Sequence, residues 1–202
     1  MTNGQIRIQQ RNLGESVFDV VERKGRGHPD TLSDHLAVRL SREYSKYTRD
    51  RYGAILHHNF DKVGLLGGHS RAEFGDGELT SPIRVLLNGR ASVSFGGESI
   101  PVRDILTSTA RNFLVDRFPQ LDHDADINIH YNLSSASSPG ETEPDQFEEE
   151  GARAHWFTPR SLDDLPERDT LVSNDTSHGV SFAPLNDIER FVYDLERYLN
   201  GE

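Results

Sequence analysis

Between Pro29 and Gly53 apolar side chains recur at Leu32, Leu36, Leu40, Tyr44 and Tyr47, the spacing of one helical face. Pro29 suits the first helical position, where a missing N–H costs nothing, and Gly53 is a fitting stop. A second helical stripe runs over residues 101–118, with Val102, Ile105, Leu106, Phe113, Leu114 and Phe118 on one side and Pro119 closing it. A third begins near Asn186, with Glu189 three residues on in a capping-box arrangement. Its apolar positions are Ile188, Phe191, Val192, Leu195 and Leu199, and Asn200-Gly201 reads as its C-cap.

Elsewhere the period shortens to two. Ile6 and Ile8 suggest a first strand, residues 17–21 (VFDVV) a second, and residues 54–66 a third, broken by Gly67-Gly68. Residues 71–80 are turn-rich. The Asn88-Gly89 pair between two apolar runs predicts a hairpin turn. Residues 125–133 alternate like a strand, and TLVSND (170–175) reads as a short one. Strands interrupted irregularly by three helices favour an α+β fold over a doubly wound sheet. Residues 1–133 form the main segment of this reading. Residues 134–152 form an acidic loop with almost no apolar content, read as flexible. Residues 153–202 add a strand and a C-terminal helix that packs back on the same fold.

Composition narrows the function classes. A chain of 202 residues is one large domain or two small ones. No run approaches the roughly 20 apolar residues of a membrane span, and the N-terminus lacks the apolar core of a signal peptide. A soluble, cytoplasmic protein with no membrane partner is the expectation. Cysteine is absent, which excludes disulfides, thiolate metal sites and cysteine nucleophiles. The net charge of −11 argues against non-specific nucleic-acid binding. Six carboxylates crowd residues 141–150, and without them the charge is about −5.

Against that acidity, residues 22–35 (ERKGRGHPDTLSDH) gather Arg23, Lys24, Arg26 and His28 at the predicted start of the first helix. A helix N-terminus already favours anions through its outward N–H groups and its dipole. Gly25 and Gly27 allow close backbone approach to a ligand. Cations added there are unfavourable unless an anion compensates them, and a polyphosphate would. Asp30 then fits if a divalent cation lies between it and the phosphates, because magnesium takes one or two carboxylates together with substrate phosphates. The alternative is an ordinary Arg- and Gly-rich surface loop, with Asp30 serving only the helix dipole. Neither a Walker loop nor a dinucleotide fingerprint is present.

Four segments, VERKGRGHPDTLSDHLA, GAILHHNFDKVGLLGGHS, SPIRVLLNGRA and NDTSHGVSFAPLNDIER, occur in an order that resembles the archaeal-type branch of the S-adenosylmethionine synthetase family. The resemblance implies synthesis of S-adenosylmethionine from ATP and methionine, with release of phosphate and diphosphate. It implies a fold of mixed and antiparallel sheets with helices on one face. By the family's motif, His28 contacts the triphosphate and Asp30 binds Mg2+, with K+ assisting. Lys24, Arg26 and Gly27 belong to the same triphosphate element, and Asn174, Asp175, Thr176 and Ser177 are nucleotide-contact candidates. Asp61 and His69 are candidates for the substrate pocket. His57 and His58 read as ordinary strand-face histidines.

Three departures accompany the likeness. The chain resembles only the N-terminal half of the family, so the fold is expected to be incomplete. Asn132–Ser137 stands where the family carries a glycine-rich turn, and Phe60-Asp61-Lys62 replaces a Thr-Asp-Gln. The implied protein is therefore a fragment, or one half of a split enzyme. Its expected state is a homo- or hetero-oligomer, in the latter case with a chain supplying the missing half. A non-catalytic relative that regulates a partner synthetase is the alternative. A nucleotide-binding module of other chemistry is a third reading, and it lacks replacements for the family's downstream lysines.

Overall fold

The computed structural model describes residues 18–135, 157–165 and 183–201. Helix α1 (Pro29–Tyr52) starts and stops where the sequence places it. His28 is its N-cap, and Gly53 closes it in the left-handed conformation at φ 77°, donating its N–H to Arg49 O. Leu32, Leu36, Leu40, Tyr44 and Thr48 form its buried stripe. Each large apolar side chain fully buried in this way stabilises the fold by roughly 1.5–3 kcal/mol.

The chain then lays down two short strands, β1 (His58–Asn59) and β2 (Gly64–Leu66), separated by a turn at Asp61-Lys62. A hairpin of β3 (Ser70–Glu73) and β4 (Asp76–Leu79) follows. Next comes the longest strand, β5 (Ile83–Ala91). A second small hairpin, β6 (Ser94–Phe95) and β7 (Glu98–Ser99), turns through Gly96-Gly97, both at positive φ. Helix α2 (Val102–Arg117) leads to β8 (Ile127–Ser134).

β5 is the spine of the main sheet. β1 and β2 pair with it antiparallel, and β8 pairs with it parallel from Ile83↔Ile127 to Arg90↔Ser134. The parallel pairing needs a crossover, which α2 provides. Val85, Leu87 and Ala91 of β5 point into a core shared with Leu36 and Leu40 of α1, Leu106 and Leu114 of α2, and Leu56, Phe60 and Ile127. The intervening Arg84, Leu86, Asn88 and Arg90 are less buried. Both helices therefore cover one face of a mixed sheet, an α+β arrangement. Tyr44 ties the layers together by donating its hydroxyl to Ser92 O at 2.7 Å.

Two strand expectations are corrected. Residues 18–21 are not a strand. Asn88-Gly89 is not a hairpin turn either, because both residues lie inside β5. Gly89 is there for proximity: its backbone is at φ 150°, and a Cβ would sit 2.2 Å from Asn59 O. Among the described residues the hairpin turns are at Phe74-Gly75 and Gly96-Gly97. The strands proposed near Ile6 and at 170–175, and most of the acidic loop, lie outside the described residues.

Residues 157–165 are pinned to the β6–β7 hairpin. Val93 and Gly96 donate their N–H groups to Phe157 O and Pro159 O. The buried Phe157 ring meets His57 edge-on at 4.8 Å.

The chain divides into two compact units, Arg26–Thr176, and Met1–Gly25 with Ser177–Glu202. In the smaller unit, helix α3 (Asp187–Leu199) carries the expected capping box: Asn186 Oδ1 accepts from Glu189 N, and Glu189 Oε2 accepts from Asn186 N. Arg23 belongs to this unit, paired with Glu196 at 3.6 Å and stacked on the Tyr193 ring. The apolar stripe of α3 has the predicted spacing, yet Ile188, Phe191, Leu195 and Leu199 are exposed.

Candidate functional site

The start of α1 brings two predicted residues together. His28 sits in extended backbone at φ −64° and ψ 135°, and its Nδ1 accepts the N–H of Asp30 at 3.2 Å. A neutral imidazole that accepts at Nδ1 carries its proton on Nε2, so the cap leaves His28 with an Nε2–H donor. Asp30 Oδ2 lies 3.9 Å from His28 Nδ1, on the exposed first turn, where the helix dipole favours a carboxylate. Nothing internal requires glycine at position 27. Its φ is not positive, and a Cβ would make only ordinary contact with the Phe118 ring at 3.8 Å. Its backbone is exposed next to the helix start.

Arg26 is exposed beside Gly27 in the larger unit. Lys24 precedes them in the smaller unit, where Glu22, Arg23 and Lys24 border a cleft of about 460 Å3. Asn174, Asp175, Thr176 and Ser177 lie outside the described residues.

The two substrate-pocket candidates are held by separate local contacts. Asp61 tops the β1–β2 turn: its N–H donates to Asn59 Oδ1, and its Oδ2 accepts from Lys62 Nζ at 2.7 Å. Asn88 donates to Lys62 O and thereby fixes the turn against β5. His69 lies just before β3, where its N–H donates to Ser81 Oγ at 2.8 Å and its Nδ1 lies 2.8 Å from the same oxygen. Asn132–Ser134 continue β8, with Asn132 Nδ2 donating to Asn88 Oδ1.

Among the described residues no group of three or more His, Asp or Glu converges as a metal cage. A lone exposed carboxylate still suits magnesium that arrives with a polyphosphate, since that ion keeps waters and takes phosphate oxygens for its other ligands. A cavity of about 620 Å3 is formed by a groove between α1 and α2. It includes none of the predicted site residues, and its lining mixes Arg39, Lys46 and Arg51 with Glu43 and Asp50. No helix among the described residues is long and apolar enough to cross a membrane.

His58 has a structural role that the sequence does not reveal. Its Nδ1 donates to Leu56 O at 2.8 Å, so its Nε2 accepts from the Ser41 hydroxyl at 2.7 Å, and its ring packs on Tyr44 and Phe60. Burial lowers its pKa, and the bond to Leu56 opposes this only partly. His57 is lowered too, by burial first and then by His58 and Arg90. With folded values below the ordinary 6.5, the unfolded chain binds protons more readily. Stability is therefore whole above about pH 6.5 and is lost as pH falls through the folded values. Urea midpoints measured at a series of pH values are expected to fall on that acid side. His58→Gln is expected to flatten the fall, and an equal slope in both proteins would remove His58 as its source.

A family model described as S-adenosylmethionine synthetase (AdoMet synthetase) matches residues 5–148. Among curated relatives, the S-adenosylmethionine synthase of Thermoplasma acidophilum is 38% identical over 195 residues, which is 96% of this chain and 43% of that protein. The synthase of Caldivirga maquilingensis is 40% identical over 187 residues, 91% of this chain and 42% of that one. The synthase of Haloarcula marismortui is 36% identical over 205 residues, with coverages of 100% and 46%. The chain spans less than half the length of these relatives.

Proposed function

The chain belongs to the S-adenosylmethionine synthetase family, and from that premise we propose that it serves the formation of S-adenosylmethionine from ATP and methionine. The reaction breaks the C5′–O bond of ATP as the methionine sulfur attacks C5′, and the leaving triphosphate is then hydrolysed by water to phosphate and diphosphate. The observation that carries the reading is the start of α1, where His28, capped through Nδ1, stands beside Asp30 and the exposed backbone of Gly27.

In this reading Nε2–H of His28 donates to a triphosphate oxygen, Gly27 lets the phosphates come close to the backbone, and Arg26 adds positive charge. Asp30 holds Mg2+, which when bound supplies neutralising charge to the departing triphosphate. Preorganised donors placed where that charge develops stabilise the transition state more than the ground state. Asp61 and His69 line the substrate pocket, and residues 174–177 contact the nucleotide. No described residue is assigned to potassium.

In this reading the working state is an oligomer, in which a second chain supplies further substrate contacts. Mass-spectrometric detection of S-adenosylmethionine tests the reading. The chain is incubated with ATP, methionine, Mg2+ and K+, alone and with a polypeptide matching the rest of a relative. Product is expected in the combination, and none from either preparation would overturn the reading. One observation favours a non-catalytic, regulatory relative instead: Lys62 occupies the Asp61 carboxylate at 2.7 Å. On that reading the chain would bind a complete synthetase and change its rate without forming product itself.

A further inference from the structure

His69 is an exposed residue held with unusual completeness. Its carbonyl accepts the N–H groups of Thr80 at 2.8 Å and Ser81 at 3.3 Å, its own N–H donates to Ser81 Oγ, and its ring nitrogen Nδ1 lies 2.8 Å from that oxygen. The neighbouring backbone is equally constrained, since a Cβ on Gly68 would stand 2.1 Å from Ser81 O. The two segments cross so closely that only glycine fits, and the crossing brings the serine hydroxyl under the imidazole. A backbone N–H can only donate, so Ser81 Oγ accepts there. Its one proton then remains to be donated to Nδ1, while its second lone pair equally allows a donating Nδ1–H, so the contact is compatible with either tautomer. The first arrangement uses the hydroxyl proton as well as its lone pair, and an imidazole that accepts at Nδ1 carries its proton on Nε2. At His28 the Asp30 N–H fixes that tautomer outright, whereas His58 has the opposite one because Leu56 O can only accept.

We propose that Ser81 is a positioning residue that holds His69 as its Nε2–H tautomer, so that the ring offers a donor to an anionic oxygen of the ligand, either carboxylate or phosphate. This rests on the reading of His69 as a substrate-pocket residue and adds what the residue does there. Holding an exposed side chain in one orientation costs conformational entropy, which a ligand recovers by meeting a donor already aimed at it. Ser81 has no signal in the sequence: it lies in a turn ahead of β5, twelve residues from the histidine it orients.

Long-range proton–nitrogen spectra of the imidazoles in the full chain, at about pH 8 where histidine is neutral, read the tautomer directly. The wild type is expected to show His69 protonated at Nε2 alone. Ser81→Ala should give a mixture of tautomers, and Ser81→Thr, which keeps the hydroxyl, should restore the wild-type signature. His69→Gln assigns the signal, and backbone amide spectra establish that each variant is folded. Methionine is added in one arm and inorganic triphosphate with magnesium in the other. The arm that moves His69 Nε2 identifies the oxygen as carboxylate or phosphate, and Ser81→Ala should weaken that response about tenfold, or about 1.4 kcal/mol. A mixed tautomer in the wild type, an unchanged tautomer in Ser81→Ala, or no Nε2 response in either arm overturns the proposal. ATP-analogue binding through Asp30 is read separately by calorimetry, so either reading can fail without taking the other with it.

Discussion

Asp30→Ala is expected to remove the magnesium dependence of ATP-analogue binding, with a loss on the order of 100-fold in Kd, or about 2.7 kcal/mol. The effect is large because the carboxylate is the one protein ligand proposed for an ion that bridges it to the phosphates. Without it, the cationic neighbours attract the triphosphate but do not hold the metal. The substitution is clean for a structural reason. His28 caps α1 through the backbone N–H of Asp30, not through its carboxylate, so alanine keeps the cap. The helix loses a favourable charge near its dipole, about 0.3–1 kcal/mol at an exposed position. Calorimetric titration with Mg2+ and a non-hydrolysable ATP analogue, beside circular dichroism of both proteins, makes the comparison. His28→Asn is the matching control, because asparagine is also a strong N-cap and removes the imidazole while sparing the helix. Full metal-dependent binding by Asp30→Ala, or none by the folded wild type, would sink the assignment of magnesium to this carboxylate.

The elements that position this site are legible because their signals are local. The α1 stripe, Pro29 at its start and Gly53 at its end are set by helical period and capping chemistry, and the structure keeps all three. The same holds for the α2 stripe and the Asn186–Glu189 capping box. What the sequence hides depends on which strands meet. Asn88-Gly89 carries every local mark of a hairpin, but glycine serves there to admit Asn59 O from another strand. Residues 54–66 read as one strand, and the Asp61-Lys62 turn divides them into two that share one edge of β5. His58 and Ser81 escape notice for the same reason. Their partners, Ser41 and His69, are 17 and 12 residues away and are met only through tertiary contact. The His28–Asp30 pair is legible because its two members are neighbours on one helical turn.

Gly89→Ala is expected to be the most destabilising single change in the sheet, at about 3 kcal/mol or more. Two penalties combine. The residue has φ 150°, a conformation side chains rarely adopt, and the new Cβ would lie 2.2 Å from Asn59 O and 3.2 Å from Phe60 Cα. Both obstructing atoms are backbone, so no rotamer change relieves the overlap and the strands themselves must part. Gly97→Ala separates the two penalties: Gly97 also has positive φ, 83°, but nothing lies within 4 Å of its Cβ position. It should cost only about 1–2 kcal/mol, the strain of a left-handed backbone for a residue with a side chain. Urea denaturation of the two variants beside the wild type measures the difference, and equal losses would mean that the close approach of β1 to β5 contributes nothing. The change also reaches the candidate site. Asn59 O, which alanine would displace, belongs to the residue whose side chain accepts the Asp61 N–H, and the adjacent Asn88 holds Lys62 O. Gly89→Ala should therefore loosen the turn that presents Asp61 at denaturant concentrations well below global unfolding, visible as faster amide exchange at Asp61 than in Gly97→Ala.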